Sequence, residues 1–198
     1  MDSYYQKQHD FYTSYYKGKT IFERNGFDEY PIDEYSMFVQ AINSLQDNSL
    51  KIIDIGCGNA LLLKHIMQNS PKRIIPYGVD FLNESVVEAK SYILPKFANN
   101  FTCINAVSYF FPNSFDLVLF DPSILRKDDR DVFFQRIIES KSHYCIVYTY
   151  SDVIRALTLS NALALLSKTN IYSIIFSAES GQISLFLLDL SLLSNLHR

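Results

Sequence analysis

The sequence predicts an α/β fold: a doubly wound, mostly parallel sheet of seven strands, with helices on both faces and an antiparallel last strand. From residue 50 onward, short and almost wholly apolar strands alternate with segments of helical period. Such strands are typical of parallel sheets that are buried on both faces. Near the end of the chain two strands follow one another across a short turn, and so short a connection requires the second strand to run antiparallel.

The predicted strands are rich in Ile, Leu, Val, Phe and Tyr, and three of them end in glycine or aspartate. In the helix predicted over 34–45, apolar residues recur at every third or fourth position, which places them on one face. Asn83 is expected to cap the third predicted helix, and Pro95 lies just past its end. In chain order the strands are predicted at 50–56, 73–80, 100–106, 114–121, 142–150, 171–178 and 182–190, and the helices at 34–45, 59–69, 83–94, 126–140 and 151–167.

The first 35 residues differ from the rest of the chain. They hold seven of the 14 tyrosines, and no single period fits them. Two interpretations stay open: the segment packs over the sheet edge, or it forms a lid over a binding site that excludes water. As lid residues the best candidates are Tyr12, Tyr15, Tyr16 and Phe22. Residues 1–198 are therefore expected to form a single domain, with an aromatic segment at 1–35 and a core at 50–190.

Composition and charge argue against several classes of protein. The chain has 198 residues, a net charge of −3 and a pI of about 5.8, which argues against a nucleic-acid partner. No run is long enough and apolar enough to suggest a membrane span, and the polar N-terminus lacks the apolar stretch of a signal peptide. The three cysteines are expected to be reduced thiols of a cytoplasmic protein. The four histidines are dispersed, so no metal site is predicted.

The first predicted strand leads into a turn that suits a ligand. Residues 52–60 read IIDIGCGNA, in which Gly56 and Gly58 lie between a strand and a helix. Two glycines there allow a sharp turn and a close approach to the backbone, and the following helix N-terminus offers N–H groups. A dinucleotide site is the rival interpretation, but it expects a third glycine where Leu61 stands. Asp54 would moreover repel a pyrophosphate, whereas it suits a cationic ligand.

Asp54, Gly56 and Gly58 resemble the first motif of the class I S-adenosylmethionine-dependent methyltransferases, an acidic residue followed by x-G-x-G. Ala60 stands where the family often has a further glycine. The resemblance implies a Rossmann-like methyltransferase fold with S-adenosylmethionine as cofactor. It also implies that the backbone of Gly56, Cys57 and Gly58 passes beside the methionine part of the cofactor, and that Asp54 helps to place the cofactor's amino group.

Two further segments match the family. Asp80 ends the second strand, where a carboxylate accepts hydrogen bonds from ribose hydroxyls, and Phe81 is expected to pack on the adenine. Asn105 and Ala106 follow the third strand. The resemblance implies that the Asn105 side chain contacts the adenine amino group and that the Ala106 N–H contacts a ring nitrogen. The alternative for Asn105 is a simple turn residue.

The acceptor side of the site is predicted around Asp121, which ends the fourth strand near the switch point of such sheets. Asp121 is a candidate to orient the nucleophile or accept its proton, and Tyr16 and His9 are further candidates. The alternative for Asp121 is a residue that caps the following loop. Asp121-Pro122-Ser123 also resembles the [DN]-P-P-[YF] motif of nitrogen methyltransferases, but the second proline and the aromatic residue are missing.

The predicted function is transfer of a methyl group to an oxygen or nitrogen of a small molecule. The acidic pI favours a small-molecule substrate over a nucleic acid. Two alternatives stay open: an RNA or protein methyltransferase, and a non-catalytic member that binds the cofactor as a partner subunit. The sequence contains no indication of oligomeric state.

Overall fold

The computed structural model describes residues 3–21, 23, 32–111, 115–150, 173–180 and 183–190. Seven strands form one sheet in the order β3-β2-β1-β4-β5-β7-β6. Neighbours among β1 to β5 pair in parallel, whereas β7 runs antiparallel to both β5 and β6. The predicted fold class, including the antiparallel last strand, is therefore confirmed. The strands are β1 (Ser49–Ile55), β2 (Arg73–Asp80), β3 (Phe101–Cys103), β4 (Leu117–Phe120), β5 (Tyr144–Tyr150), β6 (Ser173–Ser180) and β7 (Ile183–Asp189).

Five α-helices lie in the described part of the chain. The helix predicted over 151–167 and the lid candidate Phe22 fall outside the described residues. Among those residues, 3-10 turns at Pro95–Asn100, Ala106–Ser108 and Pro122–Ile124 connect helices and strands. The α-helices are α1 (Ser3–Tyr16), α2 (Ile32–Ser44), α3 (Leu61–Asn69), α4 (Asn83–Glu88), which continues as one π-helical stretch through Ala89–Ile93, and α5 (Lys127–Glu139).

Alternation along the strands separates two cores. In β4, Leu117 and Leu119 point to the face covered by α2, α3 and α4, whereas Val118 and Phe120 point to the face covered by α5. All four side chains are fully buried. Because successive strand residues face opposite sides, a strand buried on both faces needs apolar residues at nearly every position. This requirement explains the continuous apolar runs of the sequence.

Two local features differ from the sequence prediction. The segment for which no period was found contains a 14-residue helix, α1, in which only Tyr5 and Tyr16 are buried. Asn83 is the first residue of α4 rather than its cap, because Leu82 occupies the cap position without a side-chain hydrogen bond. None of the helices within the described ranges is both long and apolar enough to cross a membrane.

Candidate active site

The glycine turn after β1 has the conformation that the sequence suggests. Gly56 and Gly58 have φ values of 84° and 53°, a region that disfavours side chains. The turn is fastened to β2, because the Gly56 and Cys57 N–H groups both donate to the Val79 carbonyl, at 2.8 and 3.1 Å. Ala60, where the family often has glycine, also has a positive φ of 67° and is fully buried at the start of α3.

Asp54 and Asp80 point to the same face of the sheet. Asp54 pairs in register with Gly78 of β2, and Asp80 lies two residues further along that strand. Every second residue of a strand points to the same face, so Asp80 points to the same face as Gly78 and Asp54. It lies about 7 Å further along the strand than Gly78, the position opposite Asp54. Both carboxyl groups are buried, with exposures of 2% for Asp54 and 7% for Asp80.

The two carboxyl groups differ in their hydrogen bonds. Asp80 accepts from the Gly58 N–H at 2.9 Å and from the Leu82 N–H at 2.8 Å, so it links the glycine turn to the start of α4. Asp54 Oδ1 is buried and has no hydrogen-bond partner among the described residues. A buried polar atom without a hydrogen-bond partner destabilises the folded protein. The presence of such an atom at Asp54 is explained if a bound ligand supplies the missing partner.

The charge around this pair is unbalanced. Within the described ranges every buried charged side chain is a carboxylate and none is a Lys or Arg. Burial and the nearby Asp80 carboxylate raise the pKa of Asp54 to about 8. Burial also raises the pKa of Asp80, although its hydrogen bonds to backbone N–H groups offset part of that effect. The buried carboxylates are Glu34, Asp54, Asp80, Glu88 and Asp121.

Gly78 is a site residue that the sequence reasoning missed. A Cβ added there would lie 2.6 Å from Cys57 Sγ and 2.8 Å from the Phe101 ring. The absence of a side chain at Gly78 therefore makes room for the buried Cys57 in the glycine turn. An isolated glycine inside an apolar strand was the available signal, because it often marks a close approach.

The predicted adenine end lies beside β2 and β3. Phe81 is partly buried directly after Asp80. Asn105 Oδ1 accepts from the Val107 N–H at 3.0 Å and caps the turn that begins at Ala106. Asn105 thus has the turn role that was its alternative, and a carbonyl oxygen with two lone pairs can accept a second hydrogen bond.

Asp121, like Asn105, is a predicted site residue whose side chain also caps a turn. Its Oδ1 accepts from the Ser123 N–H at 2.8 Å and caps the turn Pro122–Ile124. The side chain is 5% exposed at the carboxyl end of β4. The turn also approaches the glycine turn, since a Cβ on Gly56 would lie 2.9 Å from Ile124 Cδ1. The carboxyl ends of β1, β2 and β4 therefore bring Asp54, Asp80 and Asp121 to one edge of the sheet, around its switch point.

Helix α1 contacts both sides of this edge. At its start, the Tyr5 hydroxyl donates to Asp129 Oδ2 at 2.6 Å and accepts from the Arg126 N–H at 3.3 Å, beyond β4. In its middle, the His9 and Tyr12 rings lie 5.9 and 6.2 Å from the Phe81 ring, beyond β2. The aromatic segment thus reaches from the Asp121 side of the site to the Asp80 side.

Tyr16, at the end of α1, belongs to the Asp80 side. Its side chain is buried, and burial together with the negative charges of Asp80 and Glu88 raises its pKa well above the ordinary value. A tyrosine in such surroundings keeps its proton. Of the three predicted catalytic residues, Asp121 therefore lies on the β4 side, whereas Tyr16 and His9 lie on the β2 side.

Asn59 is a second residue that the sequence reasoning missed. Its fully buried side chain donates to the Ile21 carbonyl at 2.7 Å and to Glu88 Oε2 at 3.1 Å. These partners lie 38 and 29 positions away, so no local pattern in the sequence could identify them. Within the described ranges, no group of three or more His, Cys, Asp and Glu residues could hold a metal ion.

Comparison by sequence finds no matching family model and no matching curated protein. Comparison by structure finds methyltransferases. Magnesium protoporphyrin IX methyltransferase from Synechocystis PCC 6803, solved with bound S-adenosylmethionine, superposes with a TM-score of 0.60 over 87% of this chain and 85% of its own, at 14% identity. The N-methyltransferase NodS from Bradyrhizobium japonicum WM9 gives a TM-score of 0.59 over 82% and 98%, at 10% identity.

A third similar structure is the ribosomal protein L11 methylase from Lactobacillus delbrueckii subsp. bulgaricus. Its TM-score is 0.57 at 16% identity, covering 79% of this chain and 78% of that one. At these identities the likeness is one of fold. The strand order and the acidic strand ends agree with the motifs of the sequence, and the chain has the fold of the class I S-adenosylmethionine-dependent methyltransferases.

Proposed function

We propose that this protein binds S-adenosylmethionine at the carboxyl ends of β1, β2 and β3 and transfers its methyl group to an oxygen or nitrogen of a small molecule. The observation that carries the proposal is the buried Asp54, whose Oδ1 lacks a partner among the described residues and which lies near Asp80. A buried excess of negative charge favours a cationic ligand. S-adenosylmethionine provides an ammonium and a sulfonium, and one similar structure was solved with it bound.

The site residues have distinct proposed roles. The backbone of Gly56, Cys57 and Gly58 borders the methionine part of the cofactor, and Asp54 accepts from its ammonium. Asp80 accepts hydrogen bonds from the ribose hydroxyls. Each of its two carboxylate oxygens already accepts from one backbone N–H and has a second lone pair that can accept from a hydroxyl. The adenine end is formed by residues on the β2 and β3 side. Phe81 packs on the face of the adenine ring. The Asn105 side chain and the Ala106 N–H contact the polar edge of that ring.

The transfer itself needs little chemistry from the chain. When bound, the cofactor supplies a methyl group already activated by a positive sulfur. The chain excludes water, aligns the acceptor with the methyl group and receives the acceptor's proton. We assign the proton to Asp121, which lies beyond β4. We place Tyr16 and His9 beside the cofactor, because the Asp80 carboxylate acts electrostatically on Tyr16 and the His9 ring contacts the Phe81 ring.

The position of helix α1 favours a small molecule as the methyl acceptor. It contacts Arg126 and Asp129 on one side of the strand ends and Phe81 on the other, so we propose that α1 covers the site and forms a single domain with the core. A covered site suits a small molecule better than a polymer. The acceptors named for similar structures differ, from magnesium protoporphyrin IX to ribosomal protein L11.

A cofactor-binding protein without turnover is the second candidate. The observation that favours it is the capping role of Asp121, whose Oδ1 is already engaged by the Ser123 N–H. The two candidates share the binding site and differ in product. Formation of S-adenosylhomocysteine from S-adenosylmethionine in the presence of small-molecule acceptors distinguishes them.

Calorimetric titration tests the binding half of the proposal. We expect Asp80→Asn to weaken S-adenosylmethionine, S-adenosylhomocysteine and 5′-methylthioadenosine by about 10- to 100-fold, since a hydrogen bond to a charged group contributes about 1.5–3 kcal/mol. Asp54→Asn is expected to weaken only the two ligands that carry an ammonium. The matched control is Asp116→Asn at the other end of β4, where Asp116 Oδ2 accepts from the Lys51 N–H at 2.6 Å.

The control variant removes a carboxylate that also accepts from backbone, and it should leave all three affinities unchanged. Absence of binding by the wild-type protein would contradict the proposal. Equal weakening of 5′-methylthioadenosine by Asp54→Asn would contradict the role given to Asp54, because that ligand has a ribose and an adenine but no ammonium.

A further inference from the structure

Asn59 joins three parts of the protein at one buried side chain. It directly follows Gly58 in the glycine turn. Its amide nitrogen donates to the Ile21 carbonyl at 2.7 Å, in the segment that follows α1, and to Glu88 Oε2 at 3.1 Å, at the end of α4. The N-terminal segment, which is α1 and the turn after it (residues 3–21), is therefore hydrogen-bonded to Asn59, the residue next to the turn that borders the proposed cofactor.

An amide is well suited to this position. The NH₂ group of Asn59 has two donors and meets two acceptors that lie on different elements. A carboxylate in its place would offer no donor, and it would lie against the Glu88 carboxylate and the Ile21 carbonyl. Serine would offer one donor only. Two acceptors that converge on one buried side chain therefore require a group with two N–H bonds.

The same segment is attached to the cofactor side of the site at two more positions. The Tyr12 ring lies 6.2 Å from the Phe81 ring. Tyr16 is buried near the carboxylates of Asp80 and Glu88. Between Tyr16 and Ile21 the chain turns through Gly18, whose φ is 81°. The second half of α1 and the turn after it thus have their attachments around the groups proposed to hold the cofactor.

We infer that Asn59 is a positioning residue that couples closure of the N-terminal segment to the cofactor. The inference rests on the proposed function. A methionine part lying along Gly56 and Gly58 restricts the turn and thereby fixes the Asn59 amide where it meets Ile21. Closure then shields the methyl group and the acceptor from water. Because coupling between binding and closure is reciprocal, loosening the segment also weakens cofactor binding.

Limited trypsin digestion measures the closure directly. Lys17 and Lys19 lie between α1 and Ile21, and cleavage there reports how often the segment opens. In the wild-type protein, saturating S-adenosylhomocysteine is expected to slow this cleavage by about tenfold or more. In Asn59→Asp, at ligand concentrations that calorimetry shows to be saturating, the slowing is expected to fall below about twofold. Cleavage after Lys51, inside the central strand β1, requires the sheet to open and therefore monitors global unfolding.

Two further variants separate coupling from a merely structural effect. Glu88→Gln keeps an oxygen that accepts from Asn59 and should retain the tenfold protection, to about a factor of two. Tyr5→Phe removes the hydrogen bond to Asp129 at the other end of α1, at 2.6 Å. It should speed cleavage equally with and without ligand and leave the ratio unchanged. If Asn59→Asp does not fold, Asn59→Ser takes its place under the same criterion.

The outcomes are distinguishable from those of the proposed function. No binding of S-adenosylhomocysteine to the wild-type protein overturns the proposed function and the inference with it. Normal binding with unchanged protection in the Asn59 variant overturns the inference alone. Loss of protection in the Asn59 variant, with retention in Glu88→Gln and Tyr5→Phe, supports the coupling.

Discussion

Asp54 shows how a single buried residue links the ligand to the stability of the free protein. Its carboxyl group is 2% exposed, and its Oδ1 has no partner in the part of the chain that the structure describes. Burial and the charge of Asp80 raise its pKa from 3.8 to about 8. Without a cation nearby, the folded protein near neutral pH therefore holds a proton that the unfolded chain releases.

This difference in protonation predicts a dependence of stability on pH. Between about pH 4 and pH 8 the folded state binds the proton of Asp54 more strongly than the unfolded state does, so the free energy of unfolding falls as the pH rises through that window. Asp54→Asn should flatten the fall and exceed the wild type in stability at pH 8 by more than about 1 kcal/mol. Urea unfolding at several pH values measures both.

Asp80 contributes to the same trend, because burial raises its pKa as well. The Asp54→Asn curve is therefore expected to be shallower than that of the wild type rather than flat. Parallel curves for the wild type and Asp54→Asn would contradict the explanation given for Asp54.

At the scale of elements, the meeting of β2 with the glycine turn depends on Gly78. The position has no room for a Cβ, since Cys57 Sγ would lie at 2.6 Å and the Phe101 ring at 2.8 Å. The glycine turn is also fixed to β2 by the bonds from Gly56 and Cys57 to Val79. Overfilling this contact should therefore disturb the turn as well as the core.

We expect Gly78→Ala to lower the free energy of unfolding by about 1–3 kcal/mol, the usual effect of an added methyl group in a filled core. Because part of the clash is with Cys57, the double variant Gly78→Ala with Cys57→Ala should recover part of that loss. A double-mutant cycle in urea gives the interaction energy, expected at about 0.5 kcal/mol or more. Strict additivity of the two substitutions would contradict the assigned contact.

At the scale of the whole molecule, the sequence predicts the sheet well and the N-terminal segment poorly. The seven strands and the direction of the last follow from continuous apolar runs and short connections, which are local signals. Helix α1 buries only Tyr5 and Tyr16: Tyr5 packs into the core on the α5 side of the sheet, and Tyr12 contacts Phe81 just past the end of β2. Because only two positions of this helix are buried, its sequence contains no periodic pattern of apolar residues that would indicate a helix.

The candidate site divides in the same way. Asp54 and Asp80 are predictable because strand ends in this fold meet at one edge. Asn59 and Glu88 act through a hydrogen bond between positions 29 residues apart, which only the folded chain brings together. Asn105 and Asp121 are predicted positions whose side chains also cap turns, a role that the motif alone does not specify.

A crystal structure of the protein with S-adenosylhomocysteine is the decisive test of the proposed binding site. We expect the ribose hydroxyls within hydrogen-bond distance of Asp80, the ammonium at Asp54 directly or through one water, and the methionine part along Gly56–Gly58. Helix α1 should cover the ligand with the Asn59 bond to Ile21 intact. A ligand bound elsewhere, or a saturated crystal in which neither Asp54 nor Asp80 contacts it, would contradict the proposed site.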